Sequence, residues 1–184
     1  MRIVAGEFRG RTLKSPAWDG LRPTSDRLRE TLFNILGPSV RGARVLDGYA
    51  GTGAIGIEAL SRGAAHVTFV EQDPRARRLI EANLAALGVA ASKPVIIRAG
   101  FADAAREARH APGGTEPFDL IILDPPYGRD AAADALDAAQ PLAGPAARIV
   151  VEHAARYPPP DARGTLHRTR TVAAGDSALS FYER

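Results

Sequence analysis

Two stretches of the chain carry side chains whose types and spacing suit chemistry. One is Asp124-Pro125-Pro126-Tyr127-Gly128, which follows directly on the apolar run Phe118-Asp119-Leu120-Ile121-Ile122-Leu123. Successive prolines stiffen the turn and remove two backbone donors, so the carbonyls there are left to accept. An exocyclic amine on a base is a poor nucleophile because its lone pair conjugates with the ring, and acceptors that hold its hydrogens turn that lone pair outward. Asp124 and the Pro125 carbonyl supply such acceptors, and Asp124 is also placed to take up the released proton. Tyr127 offers a face for the base to stack on, worth about 1–3 kcal/mol. The plainer alternative is a polar strand end followed by a type I turn.

The other stretch runs Val45-Leu46-Asp47-Gly48-Tyr49-Ala50-Gly51-Thr52-Gly53-Ala54-Ile55-Gly56. Residues 51–56 spell Gly-x-Gly-x-x-Gly with Glu71 twenty positions after Gly51, the literal pattern of a dinucleotide site. In that fingerprint the strand runs almost directly into the glycines and a pyrophosphate rests on the helix N-terminus. Here a four-residue bend, Asp47 to Ala50, comes first. A carboxylate at that point repels a pyrophosphate and suits a cation. S-adenosylmethionine (AdoMet) brings an ammonium and a sulfonium and no phosphate. Gly51 and Gly53 let the backbone pass close to a ligand. On these residues alone AdoMet, a dinucleotide and an ordinary strand-turn-helix corner all stay open.

The elements that must position these loops follow from length and pattern. At 184 residues the chain can bury one full core, and 45% hydrophobic with 24% charged content is ordinary for a soluble globular protein. No apolar run approaches membrane-spanning length, and Met1 to Glu7 lacks the apolar centre of a signal peptide, so a cytoplasmic protein is expected. With no cysteine and four histidines lacking paired ligand spacing, no metal is expected. Residues 1–44 hold nine Lys/Arg against four Asp/Glu, a balance of +5, and the remaining fifteen against seventeen give −2. That asymmetry suits either nucleic-acid phosphates or a solvated face.

Residues 2–14 alternate around Gly6 and Gly10, which predicts a short β-hairpin with Arg9 and Arg11 at its bend. A loop containing Trp18 follows, then a helix capped by Thr24 or Ser25 and ended near Gly37-Pro38, with Leu28, Leu32 and Ile35 or Leu36 on one face. Arg22, Arg27 and Arg29 sit in or before its first turns, where cations oppose the helix dipole, so either an anionic partner or pairing with Asp26 and Glu30 is expected. From Ala43 strands and helices alternate: strands at 43–47, 66–71, 94–98, 118–124 and 148–152, with helices at about 54–62, 74–87, 101–109 and 131–142. Residues 165–172 and 178–182 alternate like an antiparallel pair. The repeat predicts right-handed βαβ units with ligands at the carboxyl ends of the strands, both loops opening at the same sheet edge.

The chain resembles the RsmD family, bacterial 16S ribosomal RNA guanine-N2 methyltransferases acting at guanine 966. The resemblance lies in Arg2-Ile3-Val4-Ala5-Gly6 with Arg9-Gly10-Arg11, Leu21-Arg22-Pro23-Thr24 with Asp26-Arg27 and Arg29-Glu30, Leu32-Phe33-Asn34, Asp47 with Ala50-Gly51-Thr52-Gly53, Glu58-Ala59-Leu60-Ser61-Arg62-Gly63, and Asp124-Pro125-Pro126-Tyr127. It implies an α/β Rossmann-like AdoMet-dependent methyltransferase fold, a seven-stranded mixed sheet with helices on both faces. Residues 1–40 would form an RNA-binding extension and 41–184 the methyltransferase domain. By resemblance Asp47, Tyr49, Ala50, Gly51, Gly53, Glu71 and Gln72 would bind AdoMet, with Glu71 on the ribose hydroxyls. Asp124, Pro125, Pro126 and Tyr127 would hold a flipped guanine, and Arg9, Arg11, Arg22, Thr24, Arg27 and Arg29 would meet the RNA. Gly100-Phe101-Ala102 stands where many AdoMet enzymes place an adenine-binding Asp, so Phe101 is expected there instead. The implied partner is 16S rRNA in the 30S subunit or its precursor, met by a monomer without metal or membrane. Two rival readings are an adenine-N6 methyltransferase, which uses the same Pro-Pro-Tyr device, and an inactive RNA-binding assembly factor. A NAD-dependent dehydrogenase is the third.

Overall fold

Short β-branched runs between glycine and proline punctuation become strands here, and the Ala/Leu-rich stretches between them become helices. The computed structural model describes the chain apart from residues 17, 19–25, 111–115, 127 and 129 and the side chain of 109. It comprises two compact units, Met1–Ala99 and Gly100–Arg184.

The first unit holds α1 (Asp26–Leu36), β1 (Arg44–Asp47), α2 (Ala54–Ser61), β2 (His66–Val70), α3 (Pro74–Leu87) and β3 (Pro94–Ile97). Its strands run β3-β2-β1, all parallel. Helix α3 has the expected terminus: Asp73 accepts from the Arg75 amide at 2.7 Å, Pro74 follows, and Gly88 at φ 70 closes it. Every residue of α2 is buried, so this helix lies in the core of the unit.

The N-terminal hairpin reduces to one bridge, Arg2 to Thr12, around a turn at residues 5–10, with Arg9 in the bend and Arg11 just past it. Its arms exchange backbone bonds from Ile3 to the Arg11 carbonyl at 3.0 Å, from Gly10 to the Ile3 carbonyl at 2.9 Å and from Leu13 to the Met1 carbonyl at 3.0 Å, and the pairing goes no further because the amides between are spent on α2. Glu58 accepts from Val4 at 2.8 Å and Ala5 at 3.0 Å, and Ser61 accepts from Phe8 at 3.0 Å through its hydroxyl and from Glu7 at 2.7 Å through its carbonyl. Gly6 sits so close that an added Cβ would lie 1.8 Å from the Ser61 carbonyl oxygen. The strap then runs along α3, with Arg11 donating to the Ala86 carbonyl at 2.9 Å and the Lys14 amide to Asn83 at 2.8 Å.

The second unit holds α4 (Phe101–His110), β4 (Phe118–Leu123), α5 (Ala131–Ala139), β5 (Ala143–Ala154), β6 (Ala162–Arg163), β7 (Leu166–Ala174) and β8 (Ser177–Glu183). Its strands run β4-β5-β8-β7-β6, with β4 and β5 parallel and the rest antiparallel. Among the described residues the strands number eight rather than the expected seven, the addition being the two-residue β6 that pairs with β7. Helix α5 stops at Ala139 in a 3-10 turn, and β5 begins at Ala143, five residues before the expected Arg148. The register between β4 and β5 shifts between Phe118 and Leu120, which lets Gly144 and Pro145 sit inside the strand. Gly175, at φ 64, makes the two-residue turn between β7 and β8 with Asp176. Parallel strands alternating with helices, followed by an antiparallel pair, give the expected mixed α/β class.

Candidate functional site

In each unit two mutually parallel strands deliver an acid at or near their carboxyl ends: Asp47 closes β1 and Glu71 follows β2 in the first, and Asp124 follows β4 and Glu152 lies near the end of β5 in the second. In the first unit two of these build the glycine loop. Glu71 accepts from the Gly51 amide at 2.8 Å through Oε2 and from the Asp73 amide at 2.7 Å through Oε1. Each carboxylate oxygen has two acceptor directions, so a diol presented to this partly exposed side chain still meets one on each oxygen. Gly51 and Gly53 take φ 52 and 76, the left-handed region that favours glycine. A Cβ on Gly53 would also lie 2.9 Å from Ile80 Cγ1, and one on Gly56 would fall 2.2 Å from Phe69 Cε1. Of these three glycines, the last is fixed by helix-to-strand packing.

Asp47 is 2% exposed, and its Oδ2 accepts from the Gly56 amide at 3.0 Å, in the first turn of α2. The positive end of that helix dipole therefore already holds a protein carboxylate. A pyrophosphate, which needs the same amides, is disfavoured, and this weighs against the dinucleotide reading. Ala50 is 7% exposed and its amide donates to the Val70 carbonyl at 3.0 Å, while Tyr49 is half-buried. Gln72 is exposed, its carbonyl accepting from Arg77 at 2.7 Å. Beside this turn the Trp18 ring lies 5.2 Å from the Arg75 guanidinium, which forks onto Asp73 at 2.8 Å.

In the second unit, Phe101 opens α4 and is 4% exposed. Asp124 and Pro126 reach solvent, whereas Pro125 is buried. Burial pushes the Asp124 carboxyl up to about 6. Glu152, which the sequence placed on a strand without a role, is 7% exposed. It is pushed up to about 7, first by burial and then by the Asp124 charge, against a Ser177 hydrogen bond that lowers it. Its Oε2 is buried without a hydrogen-bond partner. Tyr127, Arg22 and Thr24 lie outside the described residues.

The arginines expected to meet RNA divide. Arg9, Arg11 and Arg27 are exposed. Arg29 corrects the expectation: it is 0% exposed, donates to Asp26 at 3.0 Å and to the Arg2 carbonyl, and lies 3.6 Å from Glu58. A guanidinium without solvent access cannot grip a phosphate, so Arg29 holds the strap, and the pairing with Asp26 is the alternative that the structure bears out. Glu58, also fully buried, takes Arg62 at 2.8 Å as well. Among the described residues no group of three or more His, Asp or Glu could hold a metal, and no helix is long and apolar enough to cross a membrane.

Known proteins resemble the chain over its whole length. It is 37% identical to Ribosomal RNA small subunit methyltransferase D of Escherichia coli K12 over 188 residues, covering 100% of this chain and 90% of the relative. The enzyme of the same name from Haemophilus influenzae is 40% identical over 136 residues, or 74% of this chain and 68% of its own. Among solved structures, yhhF of Escherichia coli, provisionally described as a methyltransferase, superposes with a TM-score of 0.85 at 34% identity, covering 100% of this chain and 97% of that one. A hypothetical protein of Thermus thermophilus gives 0.82 at 31%, covering 100% and 99%. The family model described as Conserved hypothetical protein 95 matches residues 1–183. The chain therefore belongs to that family, the RsmD family that its motifs resemble.

Proposed function

We propose that this chain is an AdoMet-dependent methyltransferase of small-subunit ribosomal RNA, acting as a monomer on N2 of guanine 966 in 16S rRNA. The reading is carried by the whole-length match to the Escherichia coli methyltransferase, in a chain that has both the glycine loop and the Asp-Pro-Pro turn. The residues present fit AdoMet: Glu71 keeps acceptor directions for a ribose diol, and Asp47 already caps the helix end that a phosphate would need. AdoMet supplies a methyl on a sulfonium, which is already a good leaving group.

The protein's own part is positioning and exposure of a lone pair. Asp124 and the Pro125 carbonyl accept from the amine hydrogens, so the nitrogen lone pair is freed from the ring. Asp124 then receives the amine's surplus proton. The base must leave its stack to reach these groups. Arg9, Arg11 and Arg27 hold phosphates, a contact set that makes binding salt-sensitive. The domain reading, with residues 1–40 serving the RNA and 41–184 the chemistry, belongs to the same proposal.

The test is incubation with labelled AdoMet and small subunits from a strain lacking this activity, followed by mapping of the modified nucleotide. A single N2-methylguanine supports the reading, whereas N6-methyladenine moves it to the adenine class. AdoMet binding without transfer leaves an assembly factor. Asp124→Ala should abolish transfer while AdoMet binding, measured by calorimetry, persists.

A further inference from the structure

The two carboxyls of the second unit have a relationship that the glycine loop and the Asp-Pro-Pro turn do not use. Strands β4 and β5 run parallel, with Ile122 opposite Val150 and Leu123 opposite Val151. The next residues along, Asp124 and Glu152, therefore follow neighbouring positions one rung further on. The Asp124 charge acts directly on Glu152.

The groups around Glu152 are few. From β8, Leu179 pairs with it in the ladder and Ser177 hydrogen-bonds to it. The adjacent His153 ring is engaged by Ser180 at 2.9 Å and the Ala154 carbonyl at 2.9 Å. Helix α5 also packs on β5, but its buried residues are Ala132, Ala135, Leu136 and Ala139, while Asp134 and Asp137 stay exposed. No cation is among the groups that act on Glu152 in the described residues. A buried carboxylate with an unpartnered oxygen, no cation and a second carboxylate beside it is costly to ionise fully. Two such groups relieve the cost by holding one proton between them.

We propose that Glu152 is the positioning partner of Asp124, the two carboxyls together holding the one proton that Asp124 accepts from the methylated amine. The inference rests on the methyltransferase reading given above. In the proton step the N–H bond breaks, its electron pair stays on nitrogen, and an O–H bond forms on Asp124. The pair enters this step with both carboxyls ionised, the costly state that makes Asp124 bind the proton more strongly beside the Glu152 charge, and it then releases that proton to water through the exposed side of Asp124 to return to the same state.

The experiment uses the full chain with carboxyl-labelled Asp and Glu, followed by NMR against pH for the wild type, E152Q and D124N. Coupled sites interact by about one pK unit or more. The wild type should therefore titrate in two steps, and each variant should leave one step, moved to lower pH by about a unit or more. Single-turnover methyl transfer to small subunits should show its acid limb moving the same way in E152Q, with AdoMet affinity unchanged. Independent titrations, with each carboxyl indifferent to loss of the other, would overturn the proposal, as would an E152Q rate profile superposing on the wild type. A wild type that titrates as a pair yet transfers no methyl would sink the rRNA reading and leave the shared proton standing. D124N, read on Glu152, decides the coupling even if E152Q fails to fold.

Discussion

Replacing Glu58 by alanine probes how the N-terminal strap is held. Four groups converge on this fully buried carboxylate: the amides of Val4 at 2.8 Å and Ala5 at 3.0 Å, Arg62 Nε at 2.8 Å, and Arg29 Nε at 3.6 Å. Removing one partner of a buried ion pair costs about 3–5 kcal/mol, because the other charge is left uncompensated. Each amide left dry would add about 1–3 kcal/mol. The strap can avoid that addition by lifting into water, so the expected loss stays near the ion-pair figure. At about 2–4 °C per kcal/mol for a chain of this size, Tm should fall by roughly 6–20 °C. Urea unfolding gives the free energy, and hydrogen exchange reports whether the Val4 and Ala5 amides lose protection ahead of α3. A loss within about 1 kcal/mol, with both amides still protected, would refute the reasoning.

Three further predictions rest on other features. Gly6→Ala should release the strap, because a Cβ there meets the Ser61 carbonyl at 1.8 Å, while Gly10→Ala, at φ 82 with nothing within 4 Å, should cost only the left-handed strain of about 1–2 kcal/mol; equal losses in urea unfolding would be the wrong outcome. Asp124 and Glu152 are raised in the folded protein to about 6 and 7 from 3.8 and 4.5, so the native state holds more protons than the unfolded one in that window and stability should fall as pH rises from about 4 to 7. E152Q should flatten that slope, and a slope equal to the wild type's would count against the assignment. Arg9→Ala and Arg27→Ala should each lower the salt dependence of RNA binding by about one unit of slope, measured by fluorescence anisotropy, whereas an unchanged slope would remove that arginine from the phosphate contacts.

Much of the fold was legible because its signals are local. The Asp73-Pro74 opening and the Gly88 close of α3 are written in adjacent residues, and the apolar runs of β1, β2 and β4 end within a residue or so of their observed limits. The front half of β5 was not legible, since Gly144 and Pro145 read as breakers and only the bulge against β4 accommodates them. Arg29 was misjudged from its charge, although its place beside Leu28 and one turn before Phe33 put it on the buried stripe of α1. Its partner Glu58 sits among apolar neighbours in α2 for the same reason, but only tertiary structure brings the two together. Glu152 ends an apolar run just as Asp47 and Asp124 do, a pattern available to inspection. The distinction it lacked was burial beside a second acid, which a one-dimensional reading does not carry.

The strap also constrains the order of events during synthesis. Val4, Ala5 and Phe8 emerge from the ribosome 54, 53 and 53 residues ahead of the side chains they bond to on α2. At about 5–20 residues per second the leading segment waits roughly 3 to 10 s for its acceptors. Lys14 waits longer, since Asn83 lies 69 positions downstream. Residues 4–8 thus wait for α2 and Lys14 for α3, and a nascent chain stalled before α3 would leave the Lys14 end of the strap undocked.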